Sequence, residues 1–189
     1  MKRKNVSTQL IKEYISEALL LLMVNKNYND ISISEITKKA GVNRSTYYRN
    51  FASKEAVLKF SLENILFSYI SEFKDSKYTD SKNYLNIIFC HFYRYKSQLL
   101  LIQRNGLSYL LLEVVNAYFE KTLCDQISNQ KEKFRIYYHA GGIYNFLLLW
   151  MDNSMQESPP EITEIAISLF PKDYIPLLMP YIKPFRKQT

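Results

Sequence analysis

Residues 33–58 of this chain read ISEITKKAGVNRSTYYRNFASKEAVL, and the local signals in this stretch decide the fold of the first third. Ser32, just before it, and Glu35 have the spacing of a capping box. In a capping box the serine hydroxyl accepts a hydrogen bond from the Glu35 amide, and the glutamate side chain reaches back to the serine amide. The pair therefore predicts that a short helix starts here and covers residues 33–39.

A turn and a second short helix follow. Gly41 is suited to the left-handed conformation that ends a helix, and Asn43 is a good N-cap for a helix over Arg44–Asn50. Two short helices joined by a four-residue turn with a glycine have the layout of a helix-turn-helix motif. The apolar side chains have the spacing of a small core shared by the two helices: Ile36, Ala40, Val42, Tyr47 and Phe51.

The start of the second helix carries hydrogen-bonding side chains, Arg44, Ser45 and Thr46. In a helix-turn-helix motif these positions face base edges in the major groove of DNA. Arginine reads guanine through two hydrogen bonds, and serine or threonine serves either a donor or an acceptor. Tyr48 and Lys54 are placed to hold phosphates. The pattern therefore points to a DNA-binding surface.

The positive charge of the chain is concentrated around this motif. The 189 residues hold 25 Lys or Arg and 18 Asp or Glu, a formal net charge of +7. Of this, +6 lies in residues 1–60, and residues 61–189 carry only +1. A small basic unit is the electrostatic footprint expected of a protein that binds a polyanion, most often nucleic acid. The alternative is a basic N-terminus that serves only solubility.

The rest of the sequence also favours helices. There are only 4 Gly and 6 Pro, and no stretch reads as a sheet. Apolar spacing predicts a first helix from Ser7 or Thr8 to about Asn25, and a fourth that Ser53 caps. The predicted ranges of the fourth and later helices are 53–73, 81–95, 98–105, 107–128, 132–153 and 160–170. We therefore predict an all-α protein with two domains, a three-helix helix-turn-helix DNA-binding domain at residues 1–60 and a helical domain at residues 61–189.

Several other classes of protein are excluded by the sequence. Charged residues at positions 12, 13 and 17 interrupt the apolar run that a secretion signal needs, and the longest early apolar run, residues 18–24, is too short to span a membrane. The expectation is a cytoplasmic protein without a membrane partner. Cys90 and Cys124 form no CxxC pair, which argues against a disulfide framework and a cysteine-based zinc module.

No enzyme signature is present either. The sequence has no Gly-rich phosphate loop, no GxSxG and no HExxH, and it holds only 2 His. Cys90 and His91 are adjacent and point about 100° apart on a helix, so with Cys124 and His139 they make a poor metal site. We therefore predict no catalysis, no metal and no cofactor.

Residues 33–58 resemble the DNA-binding domain of TetR-family transcriptional regulators. That family shows a pattern of the type T-x-x-x-I-A-x-x-A-G-V-S-x-G-x-[LIF]-Y-x-[YH]-F-x-[SN]-K-[ED]-x-L. The residues that stand where the pattern expects them are Ile36, Ala40, Gly41, Val42, Tyr48, Phe51, Lys54, Glu55 and Leu58. The resemblance covers about residues 8–60. It implies an all-helical homodimer with three DNA-binding helices and a larger C-terminal domain for ligand sensing and dimerisation.

Three departures from the family pattern bear on the DNA-binding surface. Thr37 replaces the usual alanine, Ser45 replaces a common glycine on the recognition helix, and Tyr47 replaces the usual leucine or isoleucine. We interpret Tyr47 as a core residue. Because Ser45 adds a hydroxyl beside the groove, the DNA sequence preferred by relatives does not transfer to this chain.

The resemblance also implies roles for individual residues. Tyr48 and Lys54 would contact phosphates. So would the start of the helix predicted over residues 33–39, here Ser32, Ser34 and Thr37. Arg44, Ser45 and Thr46 would meet base edges. The basic residues 2–4 either reach the DNA backbone or minor groove, or form a disordered solubilising end.

Two stretches of the C-terminal part, residues 98–112 and 137–152, are apolar on most faces, so each is buried or forms an interface. The second resembles the penultimate helix of many family members, which carries small residues, here Gly141 and Gly142, followed by a tryptophan. We therefore predict a dimer seam; the alternative is that these residues are monomer core. The predicted seam residues are Ile143, Phe146, Leu147, Trp150, Met151, Ile162, Ile165, Ala166 and Leu169.

The resemblance further implies a ligand pocket among the helices after the DNA-binding domain. An aromatic-rich cavity would suit a flat or hydrophobic small molecule. The aromatic candidates are Phe89, Phe92, Tyr93, Tyr95, Tyr109, Tyr118, Tyr137, Tyr138 and Tyr144, of which we assign Phe89, Phe92, Tyr95, Tyr109 and Tyr138 to the pocket. The alternative for each is an ordinary core or surface aromatic.

Together these features predict a DNA-binding transcriptional regulator. The first hypothesis is a homodimeric repressor that a small-molecule effector releases from operator DNA. The second is a TetR-like activator or regulator whose C-terminal domain binds a protein partner instead of a small ligand.

Overall fold

The structure is a computed structural model that describes residues 2–75, 80–123 and 129–169, with side chains at 8–72, 80–121 and 129–169. Within these ranges the chain is built of α-helices and one short 3₁₀ helix, Tyr28–Asp30, without a strand. The prediction of an all-α fold is confirmed. The helices are α1 (Lys2–Met23), α2 (Ile33–Ala40), α3 (Arg44–Asn50), α4 (Lys54–Asp75), α5 (Ser81–Arg94), α6 (Lys96–Arg104), α7 (Tyr109–Leu123), α8 (Gln130–Asp152) and α9 (Pro159–Leu169).

Most predicted helix boundaries agree with these bounds within two residues. The main difference is α1, which begins at Lys2 and not at Ser7 or Thr8. The ends predicted for the seventh and ninth helices, at residues 128 and 170, and the four prolines that follow lie outside the described residues.

The capping box that starts α2 is present. The Ser32 hydroxyl accepts a hydrogen bond from the Glu35 amide at 3.3 Å, and the Ser32 amide donates to Glu35 Oε2 at 2.9 Å. The helix ends at Gly41, whose φ of 67° lies in the left-handed region that favours glycine. Both predictions are confirmed.

The next two helices start on the predicted caps. Asn43 Oδ1 accepts from the Thr46 amide at 2.7 Å and begins α3, and Ser53 Oγ accepts from the Ala56 amide at 3.1 Å and begins α4. Each cap satisfies a helix amide that has no partner inside its own helix.

One apolar core runs from the helix-turn-helix unit into the C-terminal part. The side chains of Ile36 and Tyr47, from α2 and α3, are fully buried against α1. Helix α4 extends this core through buried Leu58 and Leu62, so it crosses the predicted domain boundary at residue 60 as one continuous helix. A displacement of α4 therefore acts on both parts of the chain.

The C-terminal part is a bundle around α4. Helix α7 packs against α4 and α8, and α9 packs along α5. In the described part of the chain, no helix is both long and apolar enough to cross a lipid bilayer.

Candidate nucleic-acid interface and ligand cavity

The start of α3 presents an exposed polar surface made of Arg44, Ser45 and Tyr48. Asn43 organises this surface, because its Oδ1 accepts the Ser45 hydroxyl at 2.7 Å as well as the Thr46 amide. The Ser45 hydroxyl is therefore held beside Arg44 at the first turn of the helix. Side chains in these positions are able to reach base edges.

Further cations surround this surface. Lys38 and Lys39, in the last turn of α2, and Arg49, in the last turn of α3, are exposed. These three residues were not among the DNA contacts predicted from the sequence, although they contribute to the excess of positive charge in the first 60 residues.

The acidic side chain of this region is already neutralised. Between residues 31 and 53 the sequence holds one acidic residue, Glu35, and its carboxylate accepts the Lys26 ammonium at 2.8 Å. The hydrogen bonds from Lys26 and Ser32 lower the pKa of Glu35 to about 2. The Glu35 carboxylate is thus occupied by Ser32 and Lys26. The exposed face of α2 and α3 therefore keeps its positive charge.

Two of the predicted DNA contacts are buried. Thr37 is 4% exposed and its hydroxyl donates to the Ser34 carbonyl at 3.1 Å. Thr46 is 9% exposed and its hydroxyl accepts from Arg49 at 3.2 Å. The sequence pattern placed both on helix starts, but their position on the helix turns them toward the core. They support the surface and have little area to offer DNA.

Lys54 also has a different environment from the one predicted. Its ammonium donates to the carbonyls of Tyr28 and Ile31, both at 2.7 Å, and lies 4.5 Å from the centre of the Tyr28 ring. Desolvation by burial lowers the pKa of Lys54. Two of the three N–H groups of the ammonium donate to the segment between α1 and α2. This geometry fits a structural role in holding that segment better than a phosphate contact.

The remaining predicted contacts differ in availability. Ser34 and Ser32 are exposed, but the Ser32 hydroxyl is within 2.7 Å of Glu35 Oε2 and belongs to the capping box. The basic residues 2–4 lie in the first turn of α1, and their side chains lie outside the described set.

Family models match both parts of the chain. Residues 15–59 match the model of the bacterial regulatory proteins of the tetR family, and residues 79–172 match a transcriptional regulator C-terminal region. The chain belongs to the TetR family. Members of this family are non-enzymatic DNA-binding regulators, so the prediction of a transcriptional regulator without catalytic activity is confirmed.

Individual relatives are distant from this TetR-family chain. The HTH-type dhaKLM operon transcriptional activator DhaS of Lactococcus lactis is 27% identical over 135 residues, which are 69% of this chain and 62% of DhaS. The match therefore spans less than two thirds of that relative. The TetR-family repressor FadR of Thermus thermophilus, solved in complex with lauroyl-CoA, is 17% identical with a TM-score of 0.48, over 94% of this chain and 98% of FadR.

The candidate metal ligands are not gathered in one place. Among the described residues, no three His, Cys, Asp or Glu side chains form a cluster that could hold an ion. His91 Nδ1 lies 2.9 Å from Glu72, and His139 Nε2 lies 2.8 Å from the Tyr84 hydroxyl. Cys124 lies outside the described residues.

The predicted dimer seam needs correction. Five of its nine residues are buried inside the protomer, where they cannot contact a second chain: Leu147, Trp150, Met151, Ile162 and Ala166. Trp150, for example, stacks on Tyr93 and donates from Nε1 to the Glu157 carbonyl at 3.2 Å. Ile143 and Phe146 are half-buried, and only Ile165 and Leu169 are exposed. When a helix is apolar on most faces, its sequence does not show which face is buried in the protomer. The packing against the other helices determines that face.

The exposed apolar residues of α8 and α9 only partly coincide with the predicted seam. Phe134, Tyr138 and Leu149 are exposed on one side of α8, and Ile165 and Leu169 are exposed on α9. Gly142 lies between them on the same side of α8 and is also exposed, and a Cβ placed there would meet nothing within 4 Å in this chain. We call these five apolar residues the α8–α9 face.

A cavity of about 90 Å³ lies in the C-terminal part between α4, α5, α7 and α8. Helix α7 contributes one wall of the cavity through Val115. Two residues earlier on the same helix, Glu113 contacts Lys59 of α4. The lining residues are Leu66, Tyr69, Ile70, Tyr84, Ile88, Phe92, Leu111, Val115, Tyr118, Phe119, His139, Ala140, Ile143, Tyr144 and Leu147.

Of the five residues assigned to the pocket from the sequence, only Phe92 lines this cavity. Phe89 packs on Trp150, and the Tyr95 hydroxyl lies 3.2 Å from Ser68 Oγ. Tyr109 and Tyr138 are exposed. Aromatic content marked the right helices, but the sequence does not encode which side chain of each helix meets the void.

His139 is the polar residue that sequence reasoning did not place at the cavity. It is 4% exposed, and desolvation by burial lowers its pKa to about 4. The imidazole is therefore neutral at pH 7, where it pairs with the neutral hydroxyl of Tyr84.

Proposed function

We propose that this TetR-family chain is a homodimeric repressor that binds operator DNA through α3 and is released by a small-molecule effector held in the α4–α5–α7–α8 cavity. In this proposal Arg44 and Ser45 contact base edges and Tyr48 contacts a phosphate. The positive charges of Lys38, Lys39 and Arg49 attract the DNA backbone. We keep residues 1–60 as the DNA-binding domain and residues 61–189 as the regulatory domain.

The observation that carries the DNA-binding part is the exposed, uncompensated cationic surface at the start of α3. Arg44 has no acidic neighbour among the described residues of α2 and α3, because Glu35 is held by Lys26. An arginine that is not engaged in an ion pair is available to a guanine or a phosphate.

The α8–α9 face supports the dimer. Exposed large apolar side chains are typical of a protein–protein interface, and both α8 and α9 carry them. A twofold dimer built on these residues would supply two α3 helices, which is the number that an operator with two half-sites about 34 Å apart requires.

Helix α7 supplies a route from the cavity to the DNA-binding unit. Val115 lines the cavity, and Glu113 of the same helix accepts Lys59 of α4 at 2.8 Å. Lys59 also pairs with Glu55 at the first turn of α4, next to the helix-turn-helix unit. An effector that displaces α7 would therefore shift the start of α4 and favour a conformation with a different half-site spacing.

The test of DNA binding is selection from a random duplex library by the purified full chain, followed by titrations of the enriched sequence. Arg44→Ala is expected to relax base preference by about 1–3 kcal/mol. Lys131→Ala, which removes an exposed cation of α8, is the matched control and should leave preference unchanged. If no sequence is enriched, or if Arg44→Ala retains wild-type preference, the assignment is wrong.

A second candidate function is transcriptional activation with a protein partner on the C-terminal part. The observation that favours it is the relative DhaS, which is named a transcriptional activator. Co-purification of a stoichiometric partner that raises transcription from the selected operator, with no response to small molecules, would favour this candidate over the repressor.

A further inference from the structure

The chemistry of the cavity limits what it is able to hold. Of the fifteen described side chains that line it, ten are aliphatic or phenylalanine, four are tyrosine and one is histidine. None of them carries a charge at neutral pH, because burial keeps His139 in the neutral form. A carboxylate, phosphate or ammonium group placed here would lose its water without gaining a partner of opposite charge, which is strongly unfavourable.

The size of the cavity limits the ligand further. An apolar cavity of roughly 150 Å³ is large enough to bind benzene. At about 90 Å³, the cavity between α4 and α8 is smaller than that benzene-binding cavity, so a single small ring or a short hydrocarbon chain is the upper limit of its ligand. Phe92, Tyr118 and Phe119 contribute aromatic walls, against which a ring packs favourably edge-on or offset.

The cavity wall also has a polar part, which is uncharged and confined to one place. Tyr84 and His139 form one hydrogen-bonded pair at 2.8 Å between α5 and α8. Because both groups are neutral, such a pair tolerates a hydroxyl or carbonyl group on the ligand but offers no partner to a charged group.

We propose that this cavity binds an uncharged molecule with a single small ring, carrying at most a hydroxyl or carbonyl group, and that it excludes anions and amines of the same size. The link from this ligand to operator release rests on the proposed function, whereas the binding itself does not.

The test compares four molecules that share one ring: toluene and p-cresol, which are neutral, and benzoate and benzylamine, which are charged. Each is added to the full chain without DNA, and the unfolding midpoint is measured. At ten times the dissociation constant, toluene or p-cresol is expected to raise the midpoint by about 3 °C. Benzoate and benzylamine at the same concentration are expected to leave it unchanged.

Ala140→Leu, which fills the cavity from α8, is the first variant, and it should abolish the shift with toluene. If it does not fold, Ile143→Val removes one methylene from the same wall and should strengthen binding of ethylbenzene, which has one methylene more than toluene, relative to the wild-type chain. The control is Val24→Leu, an exposed position in the turn after α1.

Equal stabilisation by benzoate, a shift with toluene that survives in folded Ala140→Leu, or no shift with either neutral molecule would overturn the proposal. These outcomes are independent of DNA. Loss of operator binding with the toluene shift intact would contradict only the proposed function, and operator binding without any toluene shift would contradict only this inference.

Discussion

The side-chain carbonyl of Asn105 accepts a hydrogen bond from the backbone amide of Tyr28 at 2.9 Å. Asn105 ends α6, and Tyr28 belongs to the 3₁₀ helix between α1 and α2. The bond joins residues that are 77 positions apart and ties the helix-turn-helix unit to the C-terminal part. On its other side, Tyr28 supplies a carbonyl and a ring to Lys54. A movement of α6 is therefore transmitted to the segment that precedes α2.

Asn105→Ala should destabilise the chain because the half-buried Tyr28 amide loses its acceptor. We expect a loss of about 1 kcal/mol in the free energy of unfolding, measured by urea titration. Asn105→Asp is the matched control, since it keeps an acceptor for Tyr28 and loses only the donor to the Leu101 carbonyl. Equal destabilisation by both variants would show that the bond to Tyr28 contributes nothing.

Lys54→Met should act on stability and not on the electrostatics of DNA binding. The substitution strips the Tyr28 and Ile31 carbonyls of their ammonium donor, so we expect a loss of about 1–3 kcal/mol in the free energy of unfolding. The slope of log affinity against log salt should stay at the wild-type value at temperatures where the variant is folded.

Lys38→Met is the companion to this experiment, because Lys38 is exposed at the end of α2. It should keep wild-type stability and reduce the salt slope by about one. If the two variants exchange behaviour, so that Lys54→Met is stable with a shallower slope, Lys54 is a phosphate contact after all, as the family pattern implies.

Tyr47→Phe should stabilise the chain. The ring of Tyr47 is fully buried, and its hydroxyl has no hydrogen-bond partner among the described residues. Burial raises the pKa of this phenol to about 12. Removal of an unsatisfied buried hydroxyl is expected to gain about 1 kcal/mol in the free energy of unfolding, while DNA affinity stays unchanged. A destabilised Tyr47→Phe variant would indicate that the hydroxyl is satisfied in solution.

The helix-turn-helix unit was predictable because its signals are local. The Ser32–Glu35 capping box, Gly41 and Asn43 act over three or four residues, and each holds the predicted role. Burial of Thr37 and Thr46 was missed, because a position on a helix start does not state which way the side chain turns.

The C-terminal site was less predictable because it depends on packing between distant segments. Leu147 and Leu149 are both leucines of α8, yet the first lines the cavity and the second is exposed. His139 faces the cavity because α5 brings Tyr84 beside it, across 55 residues of sequence. Neither fact has a signature in the local pattern.

His139 should make the stability of the chain depend on pH. Its pKa is about 4 in the folded chain and 6.5 in the unfolded chain, so the unfolded state binds the proton first as pH falls. The contribution is fully present above pH 6.5 and declines between pH 6.5 and 4, by a total of about 3 kcal/mol. His139→Gln does not titrate, so the stability difference between the two proteins should change over this window and be constant above it. A difference that is independent of pH would contradict the burial of a neutral imidazole.

Leu149→Asp should dissociate the proposed dimer without unfolding the protomer. Leu149 belongs to the α8–α9 face and is 71% exposed in the protomer, so a carboxylate there is solvated in the monomer and would be buried only in the proposed dimer. Light scattering after size exclusion should show the wild-type chain as a dimer at micromolar concentration and the variant as a monomer with wild-type helicity. Val24→Asp is the matched control, because Val24 is 64% exposed in the turn after α1 and lies outside this face. Since the proposed dimer binds its operator through two α3 helices at once, Leu149→Asp should also weaken operator binding, whereas Val24→Asp should not. A dimeric Leu149→Asp variant would show that the interface lies on other residues. A monomeric wild-type chain that still binds an operator with two half-sites would show that no dimer forms before DNA binding.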